Sequence, residues 1–254
     1  GPVSVTEPAR SRDHTERMLA GFGARLSVDG RTVTLAPGAE LRGQGVAVPG
    51  DISSAAFLLV AATIARGAEI TVAGVGVNET RSGLLDALES MGAPVGRSRA
   101  AVAAGEPVAD LTTRSTTLRG GLLGGPMIPR LIDEVPVLAV AACMAEGRTR
   151  ITDAAELRVK ESDRIRSIAT ELGKLGARIT EAADGLEIDG GARLRGACVT
   201  SGGDHRMAMA LCVAGLVADG ETIIEDTDCI ATSYPGFVET INALAGEPCV
   251  EKLP

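Results

Sequence analysis

Residues 131–136 read Leu-Ile-Asp-Glu-Val-Pro, and from Val135 an apolar run extends to residue 145, where Gly147 and the strand-like residues 149–152 follow. The run is apolar on every side, which is typical of a helix enclosed in a protein core. It has 11 residues, whereas a membrane span needs roughly 20. Glycine just beyond the run is the residue that most often ends a helix. The stretch therefore predicts a buried helix followed by a short strand.

The same unit occurs twice more along the chain. Pro-Gly-Asp-Ile-Ser-Ser at 49–54 precedes an apolar run at 55–65, and Gly-Asp-His-Arg-Met at 203–207 precedes another at 207–218. A second kind of helix, apolar on one side only and ending at glycine, is predicted at residues 18–23, 84–92, 168–176 and 237–246. Repeats of about 70 to 85 residues, each with two helices and about four strands, predict a layered α/β fold that encloses one helix type.

Composition narrows the class of protein. The 254 residues are 45% hydrophobic but only 2% aromatic, so Ala, Val, Leu, Ile and Gly must build the core. A net charge of −8 argues against a nucleic-acid or membrane surface, and any anion site must be local. The five cysteines form no Cys-x-x-Cys pair, so neither a zinc site nor a disulfide framework is expected. A reducing cytoplasm fits this cysteine pattern.

Cations cluster where helices are predicted to start. Residues 157–165 read Leu-Arg-Val-Lys-Glu-Ser-Asp-Arg-Ile before a helical apolar pattern. The spacing predicts Lys160 and Arg164 on one face of the first helical turn, where mutual repulsion and the helix dipole both disfavour them. Arg206 is expected at another such start. These cations indicate an anionic ligand, and a solvated helix start balanced by Glu161 and Asp163 is the alternative interpretation.

An aspartate opens each buried helix. These residues are Asp51, Asp133 and Asp204. Helix capping alone would account for them. Equivalent helix starts in packed repeats should nevertheless lie on one side of the molecule, where converging N-termini bind phosphate or carboxylate. Near the beginning of the chain, Asp13 and Glu16 predict a capping box, which leaves Arg12 without a structural role.

These motifs resemble those of the enolpyruvyl transferase family, and within it the branch that acts on shikimate-3-phosphate. The segments that carry the resemblance are 11–16, 49–55, 132–134, 156–164, 204–209 and 231–235. The resemblance implies an inside-out α/β barrel of repeated βαβαββ units with buried helices, and ligands bound between two domains. It places residues 1–48 at the end of the first domain and residues 49–254 in the second. Most of the first domain, including its Lys-Ser motif, its Gly-rich loop and its Ser-x-Gln segment, would then be missing.

The family reaction that the resemblance implies moves the enolpyruvyl group of phosphoenolpyruvate to the 5-hydroxyl of shikimate-3-phosphate and releases phosphate. The expected partners are these two small molecules, with no cofactor, metal, nucleic acid or membrane. The full-length protein is expected to be a cytoplasmic monomer. The present chain is expected to be inactive without its missing N-terminal segment.

The resemblance also implies a role for each charged residue. Asp133 would accept the hydroxyl proton and orient shikimate-3-phosphate, Lys160 would contact the same substrate, and either Lys160 or Glu161 would handle the proton at the methylene carbon. The arginines would bind the anionic groups: Arg164 and Arg206 phosphoenolpyruvate, and Arg12 the shikimate phosphate.

Two other functions stay open. One is an enolpyruvyl transferase that acts on UDP-N-acetylglucosamine, and the other is a non-catalytic fragment that binds phosphate-bearing ligands weakly. Thr232 stands where some family members have a lysine near the second substrate, so the chain departs from the family pattern at this position.

Overall fold

The computed structural model describes residues 1–253. Its α-helices are α1 (His14–Gly21), α2 (Ile52–Ile64), α3 (Gly83–Ser90), α4 (Ile128–Leu131), α5 (Val135–Met144), α6 (Arg164–Lys174), α7 (His205–Gly215) and α8 (Phe237–Ala245). Its strands are β1 (Val3–Thr6), β2 (Leu26–Asp29), β3 (Thr32–Leu35), β4 (Glu69–Gly76), β5 (Gly96–Ala103), β6 (Glu106–Arg114), β7 (Leu122–Leu123), β8 (Arg148–Ile151), β9 (Arg178–Ala182), β10 (Gly185–Asp189), β11 (Cys198–Thr200) and β12 (Ile223–Glu225). Short 3-10 helices span Gly125–Met127, Ala155–Val159 and Thr227–Thr232.

The three apolar runs form the centre of the fold. Helices α2, α5 and α7 contact one another, and nine of the ten residues of α5 are buried. Small side chains such as Ala139 and Ala142 allow this close approach, since interiors pack at the density of organic crystals. The predicted buried helices are confirmed.

Four separate sheets surround these helices, and they do not close into one hydrogen-bonded barrel within residues 1–253. Their strand orders are β1-β3-β2, β4-β6-β5, β7-β8-β10-β9 and β11-β12. The segment from β7 to β10 follows the expected βαβαββ order, with β7 parallel to β8 and the other pairs antiparallel. Together with β4, the strands of the β5–β6 hairpin are the longest among residues 1–253, at eight and nine residues.

The one-sided helices lie outside the central three. Helix α6 buries residues such as Ile165, Ile168 and Leu172, and α3 buries Leu84 and Leu88. Helix α1 has no fully buried residue. Its position therefore depends on polar contacts more than on a hydrophobic face.

Glycines permit close backbone approaches where consecutive repeats join. Gly120 and Gly196 each follow an isolated parallel bridge, Arg119 with Glu146 and Arg195 with Asp219. A Cβ atom on Gly120 would overlap the backbone of Arg148, and one on Gly196 would overlap that of Glu221. No helix among residues 1–253 is long and apolar enough to cross a membrane.

Candidate active site

The N-terminal ends of the three central helices meet. At the start of α2, Ser53 donates a hydrogen bond to the buried carboxyl of Glu134, which immediately precedes α5. At the start of α7, Arg206 donates through Nη1 to the carbonyl oxygen of Asp133, at 3.4 Å. The convergence expected from the repeats is therefore present, and backbone N–H groups with positive helix-dipole ends collect at one place.

Asp133 lies at the centre of a group of arginines. Its Oδ2 accepts a hydrogen bond from Nη2 of Arg12 at 2.6 Å, and Nη2 of Arg206 lies 3.7 Å from the same oxygen. Nη1 of Arg164 lies 3.7 Å from Oδ1. The carboxylate is 121 residues from Arg12 in sequence, so the fold brings this pair together.

Capping does not explain Asp133. Residue Glu134 is at the N-cap position of α5, and no side chain caps that helix. The short helix α4 ends only four residues before α5 begins, so Asp133 lies in the turn between them and its side chain is free to face the arginines. Capping by Asp51 and Asp204 is confirmed, since each accepts backbone N–H bonds at the start of its helix. The capping interpretation of Asp133 is wrong.

Asp204 combines capping with a buried ion pair. It accepts N–H bonds from Arg206 and Met207, a hydroxyl bond from Ser162 at 3.0 Å, and a bond from Nε of Arg164 at 2.8 Å. The Arg164 and Asp204 side chains are both 0% exposed. Nη2 of Arg164 also contacts Glu161 at 2.5 Å. These bonds fix the guanidinium of Arg164 rigidly beside Asp133.

The expected stacking of Lys160 and Arg164 on one helical turn is wrong. Helix α6 begins at Arg164 because the side chain of Asp163 accepts the N–H of Arg166 and caps the helix there. Lys160 follows the 3-10 helix Ala155–Val159 and forms an ion pair with Glu156 at 2.6 Å. Its positive charge nevertheless acts on Asp133.

The capping box expected at Asp13 and Glu16 is also wrong. Asp13 is at the N-cap position of α1 but makes no capping hydrogen bond. Its carboxylate is held instead by Arg17 and by Asn78 of the region after β4.

The neighbouring carboxyls Asp133 and Glu134 have pKa values shifted in opposite directions. Burial pushes the pKa of Asp133 upward, but the charges of Arg206, Arg12 and Lys160 and the hydrogen bond from Arg12 outweigh burial, and the pKa lies below its ordinary value. Burial raises the pKa of Glu134, and the Ser53 hydrogen bond and nearby arginine charges offset this only in part. Asp133 is therefore an anion at neutral pH, whereas burial favours the protonated form of Glu134.

Two guanidinium nitrogens in this group lack hydrogen-bond partners among residues 1–253. They are Nη1 of Arg164 and Nε of Arg206, and both atoms are buried. A buried donor left without a partner costs about 1–3 kcal/mol. A ligand oxygen that reached these nitrogens would supply the missing acceptors, so the arrangement is suited to a carboxylate or phosphate ligand.

The structure thus brings Arg12, Asp133, Arg164 and Arg206 together, with Glu161 attached through Arg164. Sequence reasoning missed Glu134, although it directly follows Asp133. It also missed Arg81, which donates to Ser53 at 2.8 Å and extends the network towards α2.

The arginine cluster lies outside the clefts that border α1. A cleft of about 520 Å³ lies between α1 and the β2–β3 hairpin, and one of about 300 Å³ lies between α1 and residues 44–52. Neither cleft is lined by Asp133, Arg164 or Arg206. In the part of the chain that the structure describes, no group of three His, Cys, Asp or Glu side chains could hold a metal ion.

Comparisons with known proteins find relatives over nearly the whole chain. The model of the EPSP synthase (3-phosphoshikimate 1-carboxyvinyltransferase) family matches residues 1–241. The chain is 59% identical over 239 residues to the 3-phosphoshikimate 1-carboxyvinyltransferase of Gloeobacter violaceus, covering 94% of this chain and 55% of that protein. It is 57% identical over 247 residues to the Synechocystis protein of the same name, covering 96% and 55%.

Solved structures are also similar. An EPSP synthase from Acinetobacter baumannii superposes with a TM-score of 0.92 and 43% identity, over 96% of this chain and 57% of that one. The enolpyruvyl transferase NikO from Streptomyces tendae has a TM-score of 0.76 at 22% identity, over 96% and 56%, which shows likeness of fold alone. The chain spans little more than half the length of the relatives that it matches.

Proposed function

This chain belongs to the EPSP synthase family, and from that premise we propose that the protein transfers the enolpyruvyl group of phosphoenolpyruvate to the 5-hydroxyl of shikimate-3-phosphate and releases phosphate. The observation that supports this most is the position of Asp133, an ionised carboxylate among Arg12, Arg164 and Arg206. A base beside several anion-binding groups is what the addition of an alcohol to a phosphorylated enol requires.

In the proposed reaction, Asp133 accepts the proton of the 5-hydroxyl while the oxygen bonds to the central carbon of phosphoenolpyruvate. Lys160 or Glu161 delivers a proton to the methylene carbon, which becomes a methyl group. In the second step the methyl group loses a proton, phosphate leaves and the double bond forms again. A positioned acid or base contributes typically 10²–10⁴-fold to such a rate.

Substrate binding would also change the pKa of the proposed base, Asp133. Arg12 and Arg206 depress the pKa of Asp133 in the unliganded protein, where it is correspondingly weak as a base. When Arg12 binds the shikimate phosphate and Arg206 and Arg164 bind phosphoenolpyruvate, the substrate anions balance these positive charges. The pKa of Asp133 then rises, and the carboxylate becomes a stronger base only when both substrates are present.

The chain supplies one part of the proposed site. We assign residues 1–48 to the end of a first domain and residues 49–254 to a second domain. The substrates would bind between these two domains, and the rest of the first domain would be supplied by the remaining residues of a full-length protein. The position of the arginine cluster outside both clefts of this chain supports this division. We place the full-length monomer in the cytoplasm, in keeping with five cysteines that are all free.

Steady-state phosphate release by the full-length protein tests the proposal. Release is expected with phosphoenolpyruvate and shikimate-3-phosphate, one phosphate for each enolpyruvyl product. Release only with a UDP-aminosugar acceptor would assign the other enolpyruvyl transferase activity. Absence of release with either acceptor, from protein that still binds phosphate, would favour a non-catalytic role.

A further inference from the structure

We propose that Asn78 is a positioning residue that holds α1 against the β4–β6 sheet and thereby places Arg12 beside Asp133. We name the five residues that make this connection the α1 latch: Asp13, His14, Arg17, Asn78 and Glu106. The part of this inference that concerns substrate affinity rests on the proposed function. The part that concerns the position of Arg12 does not.

Asn78 uses both ends of its side-chain amide. Its Nδ2 donates to Oδ1 of Asp13 at 2.6 Å and to Oε2 of Glu106 at 3.0 Å. Its Oδ1 accepts from the N–H and the hydroxyl of Thr80, at 2.9 and 2.8 Å. The residue is only 2% exposed. An amide can donate two hydrogen bonds and accept two, so no other side chain of this size could replace it.

The α1 side of the latch is equally specific. Arg17 binds both oxygens of Asp13 at 2.9 Å, and its Nη1 donates to the carbonyl of Gly105 in the β5–β6 turn at 3.1 Å. His14 contacts Oε1 of Glu106 at 2.7 Å. Asp13 thus gives up the capping of α1 in favour of contacts with a distant part of the chain. Because α1 has no fully buried residue, these polar contacts determine where the helix lies.

Arg12 directly precedes the latch. Its side chain is 40% exposed, yet Nη2 lies 2.6 Å from Asp133. A long, half-exposed arginine loses much rotamer freedom when it is held in one place. Holding the Asp13 side chain in place removes part of that loss in advance. Anchoring by Asn78 is therefore expected to strengthen every interaction of the Arg12 guanidinium.

The first experiment needs no catalytic activity. Carbon-13 NMR of carboxyl-labelled aspartate in the full-length protein, with Asp133 assigned through Asp133→Asn, gives the Asp133 pKa. Removing Arg12 should raise this pKa, since Arg12 supplies a hydrogen bond and a positive charge. Asn78→Ala should raise it in the same direction. The matched control is Thr71→Ala, which removes an exposed hydrogen bond between the hydroxyl groups of Thr71 on β4 and Thr112 on β6. This change should leave the pKa of Asp133 unchanged.

The second experiment measures kinetics on the same variants. In Asn78→Ala the KM for shikimate-3-phosphate should rise about tenfold, which corresponds to about 1.4 kcal/mol, while kcat changes far less. Arg12→Ala should raise KM at least as much. In the double variant the two effects should not add, because Asn78 acts through Arg12.

The outcomes separate the inference from the function that it builds on. An unchanged Asp133 pKa in Asn78→Ala, or additive KM effects in the double variant, would overturn the inference. If the unsubstituted protein shows no turnover of shikimate-3-phosphate, the proposed function fails and the NMR result alone decides the role of Asn78. If Asn78→Ala does not fold, Arg17→Gln decides in its place, since Arg17 is only partly buried and joins α1 to Gly105.

Discussion

Arg164 and Asp204 form an ion pair in which neither side chain has any solvent exposure, with Nε and Oδ2 2.8 Å apart. The pair joins the first residue of α6 to the N-cap of α7, across 40 residues of sequence. It gives the candidate site a rigid wall, because Asp204 also holds the backbone of Arg206. A buried pair of this kind is sensitive to the loss of one partner.

Replacement of Arg164 by methionine should therefore lower the free energy of unfolding by about 3–5 kcal/mol, since Asp204 is left as a buried anion without its partner. Urea denaturation measures the change. Arg166→Met is the matched control, because Arg166 is exposed two residues further along α6. Equal midpoints for the two variants would show that the pair contributes little.

Asp133→Asn should lower the turnover of the full-length protein at least about 100-fold, the effect of losing a positioned base. The same change removes the counter-charge of Arg12 and Arg206, so inorganic phosphate should bind more tightly to the variant. Turnover assays and calorimetric titration with phosphate measure the two effects, and Asp29→Asn at the exposed end of β2 is the control. Weaker phosphate binding would contradict the charge arrangement described above.

The buried Glu134 predicts a pH-dependent difference in stability between the wild type and a variant that cannot ionise at this position. Because burial raises its pKa, the folded protein holds the proton more tightly than the unfolded chain. The wild type therefore loses stability as the pH rises from the ordinary glutamate value through the raised pKa. Glu134→Gln keeps an oxygen for the Ser53 hydroxyl and cannot ionise. It should be more stable than the wild type at pH of about 8 and equal to it near about pH 4.

Thermal unfolding followed by circular dichroism at the two pH values tests this difference. The control is Glu89→Gln, at an exposed position on α3, which should show no comparable pH dependence. A Glu134→Gln variant that is less stable than the wild type at the higher pH would mean that Glu134 is ionised and stabilising.

Two adjacent glycines should differ in how strongly the same substitution destabilises the protein. Gly120→Ala should destabilise by about 1–3 kcal/mol, because its Cβ would overlap the backbone of Arg148. At Gly121 a Cβ meets nothing within 4 Å, so Gly121→Ala should stay within about 0.5 kcal/mol of the wild type. Chemical denaturation of both variants decides the matter. Similar free energies of unfolding for the two variants would show that the repeats can move apart at Gly120 without loss of stability.

The purified 254-residue chain should show no turnover. The hydrogen-bond donors of the arginine cluster form only one side of the proposed site, and one side cannot hold two substrates and exclude water. It should still bind inorganic phosphate at the arginine cluster. Salt at about 0.1 M or more should weaken this binding, since the Debye length there is about 10 Å. Arg206→Gln should remove most of the affinity. Steady product formation by the chain alone would mean that its site is complete.

The buried helices could be predicted because their composition alone identifies them. Runs such as residues 135–145 contain no charged side chain, and no other environment suits them. The meeting of their N-terminal ends followed from the repeat. The start of α6 could not be predicted, because Glu161 and Asp163 are both plausible near a helix start. Only the observed hydrogen bond from the N–H of Arg166 identifies Asp163 as the cap.

Contacts between distant residues could not be read from local patterns. Asp13 fits a capping box by its spacing to Glu16, but in the fold its carboxylate accepts a hydrogen bond from Asn78, which is 65 residues away. Asp133 also fits the local pattern of a cap. Its true partners include Arg12 and Arg206, and only the assembled fold brings these three side chains together.

The polar attachment of α1 has a consequence for the order of events during synthesis. The helix has eight residues, a length at which isolated helices are marginal in water. Glu106 leaves the ribosome 92 residues after His14. At about 5–20 residues per second this interval lasts roughly 5–20 s. During that time the polar contacts of α1 with Glu106 cannot form, so the nascent chain should be most open to proteases near Arg12 and Arg17, and it should become protected only when the β5–β6 hairpin has formed.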